Sequence, residues 1–390
     1  MRIAYLALVE IDIANACLIH TRETSEQLAA MGHEMTMILP RPLRMQTWAG
    51  VHHTWVRWWG FDRRGQLAFF IDSAWQLIQM HRRQPFDILY VRELVRHPFL
   101  PLLVRWLRLP LFVEVNGWAL DDFRLSGASR RELRAIAQSQ RKLFQAAAGI
   151  VVSTAGNAEK VVARYGISSQ EILVQELGTN TAHFIPGDQK QARRVLGLPP
   201  EAQIVLFAGS FHPHHDLGTL VDAFARLASE YADLVLMLVG QGAEWKRIRQ
   251  RLESSGVMGQ VRMFDARPYD EIPLYFQAAD IGVLPLTIKK VRQQNGALAT
   301  KLWDYMATGL PVVVTDMPDS ASYALLKNLA CVVPPEDPQA MANGLRDLLS
   351  HADLCARLSA ASLDYVRKYR TWRQAAAQTA NFILARLSSA

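Results

Sequence analysis

The stretch from Val205 to Leu227, VLFAGSFHPHHDLGTLVDAFARL, decides the fold of this chain. It begins as an apolar strand that ends at Ala208, continues as a loop, and becomes a helix for which Asp216 is a suitable N-cap. A helix whose apolar residues share one face is predicted to pack against a sheet that includes the preceding strand. In this helix those residues are Leu217, Leu220, Val221, Phe224 and Leu227.

The pattern of strand, loop and helix recurs in two further segments. Residues 235–252, VLMLVGQGAEWKRIRQRL, predict a strand, a turn at Gly240-Gln241-Gly242, and a helix that Glu244 caps. Residues 294–316, QNGALATKLWDYMATGLPVVVTD, predict a loop, a helix that ends at Gly309, and a strand. Short apolar runs alternate with amphipathic stretches along the whole chain, which is typical of parallel sheets covered by helices. The predicted fold class is therefore α/β.

Two series of predicted elements are separated by a segment rich in glycine and proline at 178–200, which we interpret as an interdomain linker. Each series is predicted to form a doubly wound, Rossmann-like domain, and ligands are expected beyond the carboxyl ends of the strands, in a central cleft. The first series has strands at 2–9, 34–39, 87–91, 111–115 and 149–153, with a helix at 20–31 that ends at Gly32. The second has strands at 203–208, 234–239, 261–264, 281–284, 311–314 and 330–333, with helices at 217–231, 243–254, 271–278, 298–308, 338–350 and 353–368.

Length and composition exclude several classes of protein. The chain has 390 residues, of which 50% are hydrophobic and 20% charged, a balance that suits two cores and excludes collagen, coiled coils and disordered chains. Three cysteines are too few for a disulfide framework or a cysteine zinc site. The opening residues predict a strand rather than a signal peptide. We expect a protein of a reducing compartment, the cytoplasm.

The positive charge is concentrated in one segment. Residues 41–108 hold eleven arginines and four acidic residues, and the difference of seven positive charges equals the net charge of +7 of the whole chain. The same segment holds six of the ten tryptophans. Arginine mixed with tryptophan suits a surface that faces anionic lipid headgroups or an anionic or lipid-linked acceptor. A solvated basic face with tryptophans in the core beneath it is the alternative. Nucleic acid is the least favoured partner.

In their order, these segments resemble the family 4 glycosyltransferases of the GT-B fold, which transfer a sugar from a nucleotide diphosphate to an acceptor with retention of anomeric configuration. The resemblance implies an acceptor-binding domain over 1–186, a donor-binding domain over 187–368, and a helix at about 369–390 that packs back on the first domain. It extends to four further segments: VEVNGWALDDF (113–123), residues 150–186, FDARPYDEIPLYFQAADIGVLP (264–285) and KYRTWRQAA (368–376).

The resemblance implies a donor site in the second domain. Many members grip the diphosphate with an arginine and a lysine where this chain has Ser210 and His215, and place a glutamate where it has Gly296. We expect His215 to donate a hydrogen bond to phosphate, and Lys301 and Asp304 to bind the diphosphate and the ribose hydroxyls. The lost charge is expected to come from Lys289, Lys290 and Arg292. The remaining donor-site candidates are Gly209 and Gly240, and Ala266 and Arg267, which are expected against the nucleobase.

The resemblance also implies an acceptor site in the first domain. Its candidates are Asn15, Ala16, Arg92, Glu93, Glu114 and Gly117, and the catalytic candidates are Asn116, His20 and Asp304. Asn15-Ala16 stands where relatives have glycines, and we expect Asn15 to tolerate a left-handed turn. An amide cannot act as a general base, so Asn116 can only orient and polarise. This fits a retaining mechanism in which the leaving phosphate takes the proton of the acceptor.

No metal and no other cofactor is expected, since the nucleotide sugar is a co-substrate. Clustered His212, His214 and His215 do not have the spacing of a tetrahedral site. The expected function is that of a retaining glycosyltransferase of hexosyltransferase type, cytoplasmic and able to lie on the inner face of the membrane. Its acceptor would be a glycan, a lipid-linked molecule or a small molecule. The alternative is a degenerate, non-catalytic GT-B protein that binds a partner enzyme or a glycan.

Overall fold

The computed structural model describes residues 1–11, 15–43, 45, 47–60, 62–92, 94, 99–125, 127–287, 300–316 and 325–388. The chain divides into two compact units. The first comprises Met1–Leu177 with Trp372–Ala390, and the second comprises Gly178–Thr371. The sequence-based boundaries were 186/187 and 368/369. The first division falls earlier because Phe184 stacks on Phe276 in the core of the second unit. The second division falls later because Thr371 pairs with Thr179 of the same unit.

The first unit is built on a parallel sheet with the strand order β3-β2-β1-β4-β5-β6-β7. Its strands are β1 (Arg2–Leu6), β2 (Glu34–Pro40), β3 (Val51–Val56), β4 (Ile88–Arg92), β5 (Leu111–Val115), β6 (Gly149–Val152) and β7 (Ile172–Val174). Its helices are α1 (Ala16–Ala30), α2 (Arg63–Arg83), α3 (Leu100–Leu107), α4 (Ala119–Leu125), α5 (Arg130–Ala146), α6 (Ala155–Tyr165) and, from the end of the chain, α14 (Trp372–Ser388).

Two apolar layers cover the faces of this sheet. Helices α2, α3, α5 and α6 contribute side chains such as Phe69, Val104 and Phe144 to one layer. Helices α1 and α14 pack together and supply the other, with Leu28 and Ile383 among its members. The carboxyl edge of the sheet is left for polar groups.

The second unit holds a parallel sheet with the order β10-β9-β8-β11-β12-β13. Its strands are β8 (Gln203–Ala208), β9 (Leu234–Val239), β10 (Val261–Phe264), β11 (Ile281–Leu284), β12 (Val312–Thr315) and β13 (Cys331–Val333). Its helices are α7 (Gln189–Leu196), α8 (Leu217–Ala228), α9 (Trp245–Ser254), α10 (Ile272–Ala278), α11 (Thr300–Ala307), α12 (Pro338–Ser350) and α13 (Ala352–Tyr369). Short 3-10 turns at Ser169–Glu171, Met258–Gln260 and Tyr269–Glu271 complete the described elements.

The predicted parallel α/β architecture is confirmed, and several elements have the predicted bounds, among them β8, β9, β10, β11 and α12. Strand β1 ends at Leu6 rather than at residue 9, and α1 begins earlier than residue 20 because Asn15 caps it. Asp216 caps α8 as predicted. Glu244 holds the N-cap position of α9, but its side chain pairs with Arg247 instead of with the backbone.

Two interpretations of the sequence are wrong. Segment 178–200 is not a linker, because it belongs to the second unit and contains α7, whose Arg193 is buried. The tryptophans of 41–108 do not all lie in the core: Trp48 is buried, whereas Trp59, Trp75 and Trp106 are exposed. None of the described helices has the length and apolarity needed to cross a membrane.

Candidate functional site

Both sheets have a switch point, where the order of strands along the chain reverses direction. It lies between β1 and β4 in the first unit and between β8 and β11 in the second. In parallel α/β sheets, ligands bind beyond the carboxyl ends of the strands at this point, because the loops there diverge. The candidate residues group at these two edges, and each edge is described in turn.

At the edge of the second unit, two glycines allow a close approach of three chain segments. Gly209 follows β8 with a φ of +146°, and a Cβ there would collide with Nζ of Lys301. Gly240 follows β9 with a φ of +139°, and a Cβ there would collide with the carbonyl oxygen of Gly209. Side chains rarely adopt this backbone region, so both positions favour glycine on conformation as well as on space. The result is a close-packed pair of turns, with Gly209 half-buried and Gly240 buried, beside an ammonium group.

Lys301, on the first turn of α11, is held by two neighbours. Its Nζ lies 3.1 Å from Nε2 of His215 and 4.6 Å from the centre of the Phe207 ring. His215 is buried, and its Nδ1 lies 2.7 Å from the carbonyl oxygen of Ser210. Since a carbonyl only accepts and an ammonium only donates, Nδ1 carries the hydrogen and Nε2 accepts from Lys301. His215 thus directs Lys301, and its two nitrogens are engaged within the protein rather than offered to phosphate.

Asp304 lies one helical turn after Lys301. Its Oδ1 accepts a hydrogen bond from Oγ1 of Thr179 at 2.5 Å, and Thr179 is buried. The neighbouring Tyr305 accepts a hydrogen bond at its hydroxyl from the amide of Ala208, at 2.8 Å, which ties α11 to the end of β8. A carboxylate fixed in this way can accept hydrogen bonds from vicinal hydroxyl groups of a ligand.

The candidates for the nucleobase follow β10. Ala266 is exposed, and the guanidinium of Arg267 lies 5.8 Å from the centre of the Phe264 ring. Nε of Arg267 is buried without a hydrogen-bond partner among the described residues. Ser210, two residues after β8, is exposed at the same edge of the sheet. These positions place polar groups at the carboxyl edge of the sheet, where the guanidinium of Arg267 could stack on a planar ring.

At the edge of the first unit, Glu114 is the centre of a buried polar cluster. It is 1% exposed and is the register partner of Arg92 on the adjacent strand, with Nη1 to Oε1 at 3.0 Å. The hydroxyl of Tyr5 donates to Oε2 at 3.0 Å, and the amide of Asn116 donates to Oε1. Burial would raise the pKa of the Glu114 carboxyl, but His20, Arg92 and these hydrogen bonds lower it below its usual range. Glu114 is therefore an ionised anchor for its neighbours.

His20 lies in α1 beside this cluster. Its Nε2 is 3.8 Å from Oε1 of Glu114, and its ring stacks on Trp372 at 4.9 Å. Burial lowers the pKa of His20 to about 4, although the carboxylate of Glu114 acts in the opposite direction. The imidazole is therefore neutral at pH 7. A neutral buried imidazole can donate one hydrogen bond and accept another without the cost of burying a charge.

The start of α1 completes the edge. Asn15 is the N-cap of the helix, with Oδ1 accepting from the amide of Leu18 at 2.9 Å. Its φ is −137°, so the expected left-handed turn at Asn15 is wrong, because an N-cap takes extended backbone. Ala16 is exposed in the first turn. Gly117 is half-buried directly after Asn116.

The structure therefore brings His20, Arg92, Glu114 and Asn116 together in the first unit, and His215, Lys301 and Gly209 together in the second. Asp304 neighbours the second group. Glu93, Lys289, Lys290, Arg292 and Gly296 lie outside the described residues. Within the described ranges, no three histidine, cysteine or carboxylate side chains lie together as a metal-binding group.

Sequence reasoning missed three residues of these edges. Tyr5 is an inward residue of a buried strand, and only the order β1-β4-β5 brings it to Glu114. Trp372 contacts His20, and Thr179 contacts Asp304. In each pair the two residues are more than a hundred positions apart in the sequence. Trp372 stands in the quoted segment KYRTWRQAA, which was the one available signal.

Two family models match the chain. The model described as glycosyl transferases group 1 matches residues 188–364, and the model described as glycosyl transferase 4-like domain matches residues 18–178. The D-inositol 3-phosphate glycosyltransferase of Corynebacterium urealyticum is 25% identical over 328 residues, which cover 80% of this chain and 74% of that protein.

Two solved structures resemble the fold over nearly the whole chain. Sucrose-phosphate synthase from Thermosynechococcus elongatus has a TM-score of 0.78 at 18% identity and covers 100% of both chains. HepE from Anabaena, solved in complex with UDP and glucose, has a TM-score of 0.74 at 15% identity, with 98% of this chain and 99% of that chain covered. At these identities the likeness establishes the fold.

Proposed function

Because the chain belongs to the family 4 glycosyltransferases, enzymes with two Rossmann-like domains of the GT-B fold, we propose that it transfers a sugar, of hexose type, from a nucleotide diphosphate sugar with retention of configuration. One observation carries the proposal. The ammonium of Lys301 lies against Gly209 at the switch point of the second sheet, held by His215 and Phe207. A fixed cation at the carboxyl edge of a parallel sheet is suited to bind an anionic leaving group.

In the proposed reaction, the bond between the anomeric carbon and the diphosphate oxygen breaks, and a bond from the acceptor hydroxyl oxygen forms on the same face. The proton of the acceptor hydroxyl passes to the departing diphosphate. Lys301 stabilises the negative charge that develops on the diphosphate, and Asp304 accepts hydrogen bonds from the ribose hydroxyls. Asn116, bound to Glu114, orients the reacting groups and takes no proton.

The proposed reaction needs no divalent metal ion, because the ammonium of Lys301 supplies positive charge at the leaving group. Transfer in excess EDTA is expected to proceed at the same rate as in its absence. A loss of activity in EDTA that added Mg²⁺ or Mn²⁺ restores would overturn this part of the proposal.

The acceptor class is proposed to be a glycan, a lipid-linked molecule or a small molecule. The relative named for D-inositol 3-phosphate supports testing phosphorylated acceptors first, and the complexes of HepE with UDP support uridine as the first base to test. The excess of arginine in residues 41–108 favours an anionic acceptor. We place the enzyme in the cytoplasm, peripheral to the inner face of the membrane.

Thermal stabilisation by UDP, GDP, ADP, CMP and dTDP tests the donor site. A ligand at 100 times its dissociation constant adds about 2.7 kcal/mol to the free energy of unfolding. We expect stabilisation by one diphosphate, its loss in Lys301→Met, and its retention in the control Lys190→Met, which removes an exposed lysine of α7. Stabilisation by none of them would favour the non-catalytic alternative, a partner-binding or glycan-binding protein.

A further inference from the structure

Helix α2 exposes apolar side chains where a surface helix ordinarily exposes charged ones. Among its described side chains, all the exposed positions except Arg83 form one stripe, which reads Arg64, Leu67, Ile71, Trp75 and Arg82. Ile71 and Trp75 are each 60% exposed, and the opposite side of the helix buries Phe69 and Leu77 in the core. The helix therefore buries one apolar face against the sheet and exposes a second apolar stripe on its outer side. An arginine stands at each end of this outer stripe.

Helix α3 continues this outer stripe. Leu102 and Trp106, one turn apart, are 68% and 58% exposed, and Phe99 precedes them with its ring also exposed. The guanidinium of Arg82 lies 5.4 Å from the centre of the Trp106 ring, which joins the two helices in one surface. Trp59, in the loop before α2, is 72% exposed. We call the surface formed by Trp59, Leu67, Ile71, Trp75, Phe99, Leu102 and Trp106 the aromatic face.

A basic groove borders the aromatic face beside α3. It has a volume of about 740 Å³, its walls include Leu102 and Ala146, and its charged lining residues are Arg105, Arg108 and Lys142. No carboxylate is among the described residues that line it. The groove lies where β5 and β6 begin, at the edge of the sheet opposite Glu114.

The acidic groups near the aromatic face are already engaged by the backbone. Asp62 accepts from the amide of Gly65, Asp72 from the amide of Arg57, and Asp87 from the amide of Arg2. These carboxylates keep their negative charge, but the exposed charged side chains described on the two helices are Arg64, Arg82, Arg83 and Arg105, so positive charge dominates around the apolar side chains. A surface of this kind complements a partner that is apolar inside and anionic at its boundary.

We propose that the aromatic face and the basic groove bind the surface of a bilayer that contains anionic phospholipid. The tryptophans and aliphatic side chains enter the boundary between headgroups and acyl chains, where indole rings are favoured, and the arginines and Lys142 contact the phosphates. A second copy of this chain is a poorer occupant, because the same basic surface would face itself. This inference is independent of sugar transfer.

The test is co-sedimentation of the full chain with vesicles of phosphatidylcholine, with and without 30% phosphatidylglycerol as an experimental choice of roughly physiological anionic content. We expect binding that requires the anionic lipid and weakens with salt. Each basic residue contributes about fivefold in affinity, so Arg82→Glu/Arg105→Glu/Arg108→Glu is expected to weaken binding at least about 100-fold. Trp75→Ser/Trp106→Ser is expected to weaken binding about tenfold while the salt dependence remains.

The matched control reverses three exposed cations of the second unit, Lys190, Lys246 and Arg367, to glutamate, and keeps the same net charge as the first variant. Equal loss of binding in both triple variants would overturn the proposal, as would equal binding to neutral vesicles or no binding at all. A dimer that Trp75→Ser/Trp106→Ser dissociates would assign the face to a second copy instead. Vesicle binding is measured without donor or acceptor, so a failure to bind vesicles would overturn this proposal without affecting the proposed sugar transfer. The two proposals can therefore fail separately.

Discussion

At the scale of single residues, the tautomer of His215 decides what Lys301 can do. The carbonyl oxygen of Ser210 fixes the hydrogen on Nδ1, so Nε2 is left to accept from the ammonium. Protonation of His215 would place a hydrogen between two cations and release Lys301 from this position. His215 is therefore a positioning residue, and Lys301 is the group proposed to meet the diphosphate.

His215→Phe is expected to lower kcat/KM by about 10- to 100-fold, the worth of a hydrogen bond to a charged group. His215→Gln, which retains an acceptor, is expected to recover much of that loss. The measurement is kcat/KM of both variants beside the thermal stabilisation by the nucleotide diphosphate, which should fall in the phenylalanine variant and return in the glutamine variant. Equal values for the two variants would show that the hydrogen bond to Lys301 does not act on the donor.

His20 makes the stability of the first unit depend on pH. Its pKa is about 4 in the folded chain, against a usual value near 6.5, so only the unfolded state takes up a proton between these values. The stabilisation is complete above pH 6.5 and is lost as the pH falls toward 4, by about 3 kcal/mol in total. Hydrogen exchange of α1 between pH 7 and 4 should detect this loss.

The control for this experiment compares His20→Gln with His52→Gln, which changes an exposed histidine of the same unit. The first variant should flatten the pH dependence of the free energy of unfolding, and the second should leave it as in the wild type. Identical pH profiles for His20→Gln and the wild type would contradict the assignment to His20.

At the scale of elements, α7 is fastened to the second unit by one buried arginine. Arg193 is 4% exposed and donates to the carbonyl oxygens of Ala278, at 3.0 Å, and Pro200, at 2.6 Å. It also pairs with Asp280 at 2.7 Å, and the same carboxylate oxygen accepts from the amide of Ile204. The segment interpreted as a linker is thus part of a folded body.

Arg193→Ala is expected to destabilise the second unit by about 3 kcal/mol, because two carbonyl oxygens lose a donor and the carboxylate of Asp280 loses its positively charged partner. The matched control is Arg194→Ala, which removes a neighbouring exposed arginine and should cost less than about 0.5 kcal/mol. Chemical denaturation, monitored by hydrogen exchange of residues 178–371, measures the loss of stability in both variants. Equal values for the two variants would show that the buried contacts carry no net stability.

How far the sequence predicts an element depends on how completely the element is buried. Strands β8, β9 and β11 are continuous apolar runs, and their bounds follow from the sequence. Strand β3, VHHTWV, is a half-exposed edge strand with polar residues at its centre, so it has no apolar run to detect. Segment 178–200 was misread because its glycines and prolines flank a short helix with few apolar residues.

The candidate site is predictable only in part for a related reason. Arg92 and Glu114 each end a predicted strand, so their meeting follows once β4 and β5 are neighbours. The contacts of Tyr5 and Trp372 depend on the order of strands and on the return of α14, which local patterns do not encode. The role of His215 required the positions of its two nitrogens, which no sequence pattern supplies.

At the scale of the whole molecule, the donor proposal assigns nucleotide binding to one unit. Hydrogen exchange with saturating nucleotide diphosphate is expected to slow at the loops that follow β8 and β9, at residues 209–216 and 240–244. The reason is that their amides border Lys301 and the glycine pair. Protection confined to the start of α1, at residues 15–20, would contradict the assignment.

The path of the chain has a consequence for biosynthesis. Helix α14 supplies Trp372, Ala376, Ala380 and Ile383 to the first unit, where it packs on α1. A ribosome makes α14 only after all of residues 178–371, so in a nascent first unit α1 alone covers the sheet face that the two helices share in the finished protein. The unit that is started first is the one finished last, and a factor that shields nascent apolar surfaces would meet this half-covered face throughout translation of the second unit.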